Sequence, residues 1–393
     1  MRRGFLWCIN CAGYRKDLYW IGEAIVLTPN YSNSIMNITN SVLKHYGVAP
    51  YHETLPIVDE LLMKNHKNVV VLIMDGMGIN VLERNLPEDA FLRAHMKGEL
   101  SSVFPPTTTA ATTSVLTGKT PAEHGWIGWS CYFKEVDKCI DLFSNHESGT
   151  EEAANSEHQP YKYLPYNSIL DVLDGKVRAC AVSPFSEYFA NTMDGICRQL
   201  KTLCEEDGNK FIYAYHYQPD RDMHDFGVSP KCINEMMEAY NNQLETLIGS
   251  LSDTLFLISA DHGMIDITMK YVEEYPQIND ALIRHICVEP RCCSLYVKDA
   301  YKSEFPELFS AVFGDKFKLY THDTFLQSGL LGEGIQHPKI ADFVGDYMAV
   351  ATSDIALWYK DIHGEYKDFK GAHAGLTKEE LTVPLIVIEK CPR

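Results

Sequence analysis

With 393 residues the chain is long enough for one large core and a smaller appendage. Its 46% apolar and 11% aromatic content excludes an intrinsically disordered protein, which lacks the surface needed to offset chain entropy. A net charge of −18, from 53 acidic against 35 basic residues, repels nucleic-acid backbones and anionic lipid, so neither is expected as a partner; an enzyme for anionic substrates would tolerate that field only if bound cations reversed it locally.

The chain opens on MRRGFLWCINCAG, two arginines before a short apolar stretch, which faintly imitates a secretion signal. Lys16, Asp17, Glu23 and the want of a cleavage site count against that reading, and residues 1–30 are expected to form an N-terminal arm. No stretch approaches the ~20 apolar residues of a membrane span, so the expectation is a soluble, cytoplasmic protein with no membrane partner. The twelve cysteines lack the dense spacing of a disulfide scaffold and read mostly as buried thiols, with Cys8 and Cys11 a C-x-x-C pair lacking a second pair at zinc-ribbon distance.

Further along, VVVLIM (69–74), RACAVS (178–183), FIYAYHY (211–217), TLFLISA (254–260), MAVATS (348–353) and PLIVIE (384–389) are continuous apolar or β-branched runs, as strands buried on both faces require. Helix candidates at 195–206 and 231–251 alternate with them. The fold class this predicts is α/β, a mostly parallel sheet sandwiched by helices. Residues 31–265 and 346–393 would form the core and 266–345, with short mixed elements, a smaller inserted subdomain. The polar, aperiodic stretch 131–165 reads as a long loop or lid.

In such sheets ligands bind beyond the carboxyl ends of the strands. VVVLIM runs into Asp75-Gly76-Met77-Gly78, and TLFLISA into Asp261-His262-Gly263. Neighbours in a regular strand point to opposite faces, so Asp261 and His262 reach one site only where the strand has ended, and Gly263 permits the turn. After FIYAYHY, Asp220 and His224 stand four apart, which on a helix puts carboxylate and imidazole on one side. His373 sits among small residues in GAHAG. FPPTTTAATTSVLTG (104–118) reads as a helix start, with free N–H groups able to cradle an anion and hydroxyls that need a base or cation to become nucleophilic. Taken singly, each of these has an ordinary structural explanation.

Together, DGMG, FPPTTTAATTSVLTGKTPAEHGW, PDRDMH, SADHG and GAHAG resemble, in order, the alkaline phosphatase superfamily and within it the nucleotide pyrophosphatase/phosphodiesterase branch, over roughly residues 68–390. The resemblance implies two divalent metal ions, Zn2+ or alternatively Mn2+. Asp75, Asp261, His262 and the nucleophile would hold one, and Asp220, His224 and His373 the other. The family's spacing to Gly118 selects Thr108 as nucleophile, with Thr107 the alternative. One departure is Ala111, where diesterases of this branch carry an asparagine. The implied activity is hydrolysis of a small phosphorylated substrate, a nucleotide or related diester, through a covalent phosphothreonine or nucleotidyl-threonine. A phosphomonoesterase or phosphonate hydrolase on the same scaffold, and a catalytically silent metal-binding protein, are the rival readings.

Overall fold

The computed structural model describes residues 19–21, 24–360, 365 and 367–392. Cys8 and Cys11 therefore lie outside the described residues. The central sheet has seven strands: β1 (Asn68–Met74), β2 (Met96–Ser101), β3 (Arg178–Ser183), β4 (Tyr188–Phe189), β5 (Lys210–His216), β6 (Thr254–Ser259) and β7 (Thr382–Lys390). Their order is β2-β7-β6-β1-β5-β3-β4.

Every residue of β1, β5 and β6 is buried, which is why these segments read as unbroken apolar runs rather than alternating ones. β1 pairs in parallel with β5 and β6, β5 with β3, and β3 with β4. Only β7 runs against this direction, antiparallel to both β6 and β2. The result is the mostly parallel α/β sheet expected. The helices anticipated at 195–206 and 231–251 span Met193–Glu205 and Lys231–Ser250.

A second sheet is antiparallel throughout, in the order Phe317–Thr321, Tyr347–Ala351, Cys292–Leu295, Cys287–Glu289, Ser130–Phe133, Lys138–Asp141. Two expectations change here. The MAVATS run joins this second sheet rather than alternating within the first. The start of 131–165, which reads as loop, forms a hairpin; its strands are only four residues each and partly exposed, so they leave no continuous apolar run in the sequence.

Cys139 and Cys287 are joined by a disulfide that ties this hairpin to the neighbouring strand. Cys131, Cys180, Cys204, Cys292 and Cys293 are buried free thiols. No helix among the described residues is long and apolar enough to cross a membrane.

Candidate metal centre

Three neighbouring central strands, β5, β1 and β6, end at one edge of the sheet. Asp75 follows β1 directly, and its N–H donates to the His216 carbonyl at the end of β5 (2.9 Å). Beyond β5 the chain turns into the helix α1 (Asp220–Phe226), whose first residue is Asp220 and whose fifth is His224. Beyond β6 come Asp261 and His262. Close approach of these strand ends demands glycine: a Cβ on Gly78 would lie 2.5 Å from Gly263 Cα, and one on Gly263 would lie 1.9 Å from the Glu379 carbonyl oxygen.

Backbone cannot yield to that overlap, so Gly263→Ala should destabilise by about 3 kcal/mol and pull Asp261 and His262 off position. Thermal unfolding and bound metal measured on one preparation check this; a variant with the wild-type melting temperature and metal content would contradict it.

Asp75, Asp220, Asp261, His262 and His373 are all buried, while Thr108 and His224 are half-buried. One ligand atom each from Asp75, Asp261 and His262 lies within 4.8 Å of the others, and the same holds for Asp220, His262 and His373. His262 thus stands between the two groups. Its Nε2 is 3.3 Å from Asp75 Oδ1 and 3.5 Å from Asp261 Oδ2. His224 Nε2 faces Asp220 Oδ2 at 3.4 Å, and His373 Nε2 faces Asp220 Oδ1 at 3.7 Å. The His262 and His373 rings stack at 3.8 Å.

Those separations fit a cation better than hydrogen bonding. Two donors held at zinc distance in tetrahedral geometry stand about 3.3 Å apart, whereas a charge-assisted hydrogen bond draws them to about 2.8 Å. The outer nitrogens agree. Nδ1 of His224, His262 and His373 faces the carbonyl oxygens of Gly371, Gly263 and Pro106 at 2.9, 3.0 and 3.0 Å. A carbonyl accepts only, so each Nδ1 carries a proton and each Nε2 faces inward, where a neutral ring would offer its lone pair to a cation. Asp261 Oδ2 and Asp220 Oδ1 are buried without a hydrogen-bond partner. Ring nitrogens and carboxylates converge here, and a positive ion would satisfy that set where trapped protons otherwise must.

Charge gives the same picture. Burial, then the nearby Asp220 carboxylate, pushes Asp75 above the usual carboxylate range. Burial, then Asp75, pushes Asp261 up to about 8. Burial works against charge on His262, yet the surrounding carboxylates raise it to about 10. Buried His373 goes the other way, well below the usual imidazole value. Carboxylates this close resist ionising together unless cations neutralise them.

The threonine stretch forms the helix α2 (Thr108–Thr117), with Thr107 as N-cap and Gly118 closing it in the left-handed conformation at φ 69°. Thr108 Oγ1 faces the first ligand group, 3.4 and 3.3 Å from the two Asp75 oxygens and 3.4 Å from His262 Nε2. Thr107 points elsewhere, and its hydroxyl donates to Glu289 Oε1 at 2.5 Å. All seven residues singled out in the sequence therefore lie at this sheet edge.

Sequence reading missed several supports. Tyr215 donates to Asp75 Oδ2. Ser102 donates to the Asp261 carbonyl at 2.5 Å. Glu289, raised to about 7 by burial, accepts from both Thr107 and the Trp129 N–H. Arg291, fully buried, grips Glu380 through two hydrogen bonds of 2.7 and 2.8 Å, and Glu380 in turn accepts from Gly375 N–H and the Thr377 hydroxyl, fixing the loop that follows His373. Only Tyr215 left a trace, as a hydroxyl near the carboxyl end of a fully buried strand.

The model of the family described as type I phosphodiesterase / nucleotide pyrophosphatase matches residues 69–375. No curated protein matches the chain. Among solved structures, human ectonucleotide pyrophosphatase/phosphodiesterase 5 superposes with a TM-score of 0.62 at 13% identity, covering 81% of this chain and 87% of that one. An inactive variant of the murine protein in complex with AMP gives 0.60 at 16%, with the same coverage. Phosphonoacetate hydrolase from Sinorhizobium meliloti 1021 gives 0.59 at 16%, covering 82% and 90%.

Proposed function

The chain belongs to the type I phosphodiesterase / nucleotide pyrophosphatase family, and from that premise we propose that it is a metal-dependent hydrolase of nucleotide-type phosphodiester or pyrophosphate bonds that works through a covalent intermediate on Thr108. The observation that carries this reading is the Thr108 hydroxyl, 3.3 to 3.4 Å from both Asp75 and His262 at the start of a ten-residue helix.

Asp75, Asp261, His262 and Thr108 would hold one divalent cation, and Asp220, His224 and His373 the other. Mixed nitrogen and oxygen donors suit zinc, with manganese the alternative. Such ions supply Lewis-acid charge that lowers the pKa of the Thr108 hydroxyl and offsets charge on the substrate's phosphoryl oxygens.

The protein's own groups do the rest. The first N–H groups of α2 have no partner within the helix, so they and the positive end of its dipole are available to phosphoryl oxygens. Thr108 Oγ attacks phosphorus as its proton passes to solvent, the P–O bond to the leaving group breaks, the departing oxygen takes up a proton from solvent where it needs one, and a nucleotidyl- or phosphothreonine forms. Water then attacks the same phosphorus and returns the Thr108 hydroxyl. Asp75 is held for this by Tyr215, and the three Nδ1–H bonds to backbone carbonyls keep the imidazoles oriented.

AMP in the murine relative supports a nucleotide substrate here. Likeness to phosphonoacetate hydrolase favours phosphonate or monoester cleavage as the second reading. The test is metal analysis coupled to a panel of p-nitrophenyl thymidine monophosphate, p-nitrophenyl phosphate and phosphonoacetate. Chelation should abolish turnover and Zn2+ or Mn2+ should restore it, most strongly for the diester. Metal affinity should fall as pH drops, because protons compete for the three Nε2 atoms. Preference for phosphonoacetate would move the assignment to the second reading, and no turnover with either metal would leave a silent metal-binding protein.

A further inference from the structure

One residue of the second sheet is held in a conformation that its side chain disfavours. Val288 stands at φ 80°, in the left-handed region, although it is β-branched and fully buried. Such a residue is an outlier that persists only where its surroundings over-determine it, and outliers of this kind gather at functional sites. The surroundings here do so. The Val288 carbonyl accepts the Trp129 N–H at 3.0 Å, and Val288 pairs with Ser130 on one side and Cys293 on the other. It packs so closely on Gly128 that a Cβ there would lie 2.5 Å from Val288 Cγ1. Cys287, the residue before it, is tied to Cys139 by the disulfide.

The chain direction set at Val288 aims the next side chain. Glu289 Oε1 also accepts the Trp129 N–H, at 2.7 Å, and the Thr107 hydroxyl at 2.5 Å. One buried oxygen thus joins the second sheet to the residue that opens α2. Thr107 makes no side-chain cap to its own helix; its carbonyl accepts the first helical bond, from the Ala111 N–H at 2.9 Å. Just before it, the Pro106 carbonyl accepts the His373 Nδ1–H at 3.0 Å. Two successive residues ahead of Thr108 are therefore anchored, one through a proposed metal ligand and the other through Glu289.

We infer that Glu289 is a positioning residue for the reaction: acting through Thr107 rather than on the substrate, it sets where Thr108 Oγ1 and the first free N–H groups of α2 stand, and the strained Val288 directs it there. The inference rests on the reading of Thr108 as the reacting group. In-line attack tolerates little error, since displacing a reacting atom by about 1 Å costs on the order of 10^2 in rate. The bond needs an acceptor oxygen rather than a charge, so a carboxamide can stand in for the carboxyl and a methyl group cannot.

Steady-state kinetics of the metal-loaded protein on p-nitrophenyl thymidine monophosphate, run well below each variant's melting temperature and with bound metal measured, tests this. Glu289→Ala should lower kcat about 10- to 100-fold, with KM within about threefold and metal at the wild-type level. Glu289→Gln should restore kcat to within about threefold of wild type. Amide hydrogen exchange read by mass spectrometry reports on the same geometry without turnover: the peptide covering 104–112 should exchange about tenfold faster in Glu289→Ala and at the wild-type rate in Glu289→Gln. If Glu289→Ala does not fold, Thr107→Val, which removes only the hydroxyl, should lower kcat several-fold while Thr107→Ser keeps it. Unchanged kcat in the alanine variant whatever its melting temperature, a glutamine variant as impaired as the alanine one, or a kcat loss that tracks lost metal overturns the inference. That failure is separable from failure of the hydrolase reading. Thr108-dependent turnover that ignores Glu289 sinks only the positioning role, whereas Glu289-dependent protection of 104–112 in a protein that hydrolyses nothing sinks only the activity.

Discussion

Thr108→Ala lowers turnover by a factor on the order of 10^3 or more while the protein keeps its metal. Removing Oγ1 deletes the attacking atom, but the six other donors, Asp75, Asp220, His224, Asp261, His262 and His373, are untouched. Their orientation comes from bonds that do not involve Thr108, namely Tyr215 to Asp75 and the three Nδ1 contacts to backbone carbonyls. Steady-state kinetics and elemental analysis on the same preparation decide it. Thr107→Ala supplies the contrast: its hydroxyl is spent on Glu289, so its loss leaves that buried carboxyl short of a donor, at a cost of about 1 kcal/mol, and should reduce turnover far less. Wild-type kinetics in Thr108→Ala with an inactive Thr107→Ala would transfer the nucleophile to Thr107.

The second large effect is structural, and reaches the site through a loop. Arg291→Ala should destabilise the fold by about 3–5 kcal/mol, because it strands the fully buried Glu380 carboxylate without its partner. Arg291 Nη1 also donates to the carbonyls of Ser353 and Ile355 at 2.7 and 2.6 Å, the second of these bonds fully buried. Since Glu380 holds Gly375 and Thr377, the variant should also loosen the segment after His373 and lose metal ahead of global unfolding. A urea titration followed by bound metal and by circular dichroism separates the two events. Replacing both partners with Met and Leu should recover much of the stability, as apolar substitutes for buried ion pairs do, but not the hold on Gly375. An Arg291→Ala protein with the wild-type midpoint and metal content would remove this pair from the account.

Glu289 shows where sequence reading ends. Its carboxylate accepts the hydroxyl of the residue that caps α2, yet it stands 182 residues from Thr107, on a three-residue strand of the second sheet with no local pattern. Arg291 and Glu380 are 89 residues apart, and each alone reads as an ordinary surface charge. Nothing in a linear pattern says that two opposite charges will be buried together, because that depends on which faces remain to be covered after the sheets form.

Sequence by itself determined the fully buried strands and the residues at their ends. Asn68–Met74 and Thr254–Ser259, buried at every position, agree with their apolar runs within a residue, and the half-covered Arg178–Ser183 coincides with its own. A strand covered on both faces must be apolar at every position, so its sudden end in Asp75 or Asp261 is visible without coordinates. Only the tertiary structure decided that β7 runs antiparallel, that distant segments build the second sheet, that His262 stands between the two ligand groups, and that the Thr107 hydroxyl turns away to Glu289. Those outcomes are set by pairing and packing between segments far apart in the chain, whereas local periodicity records only whether each segment is covered.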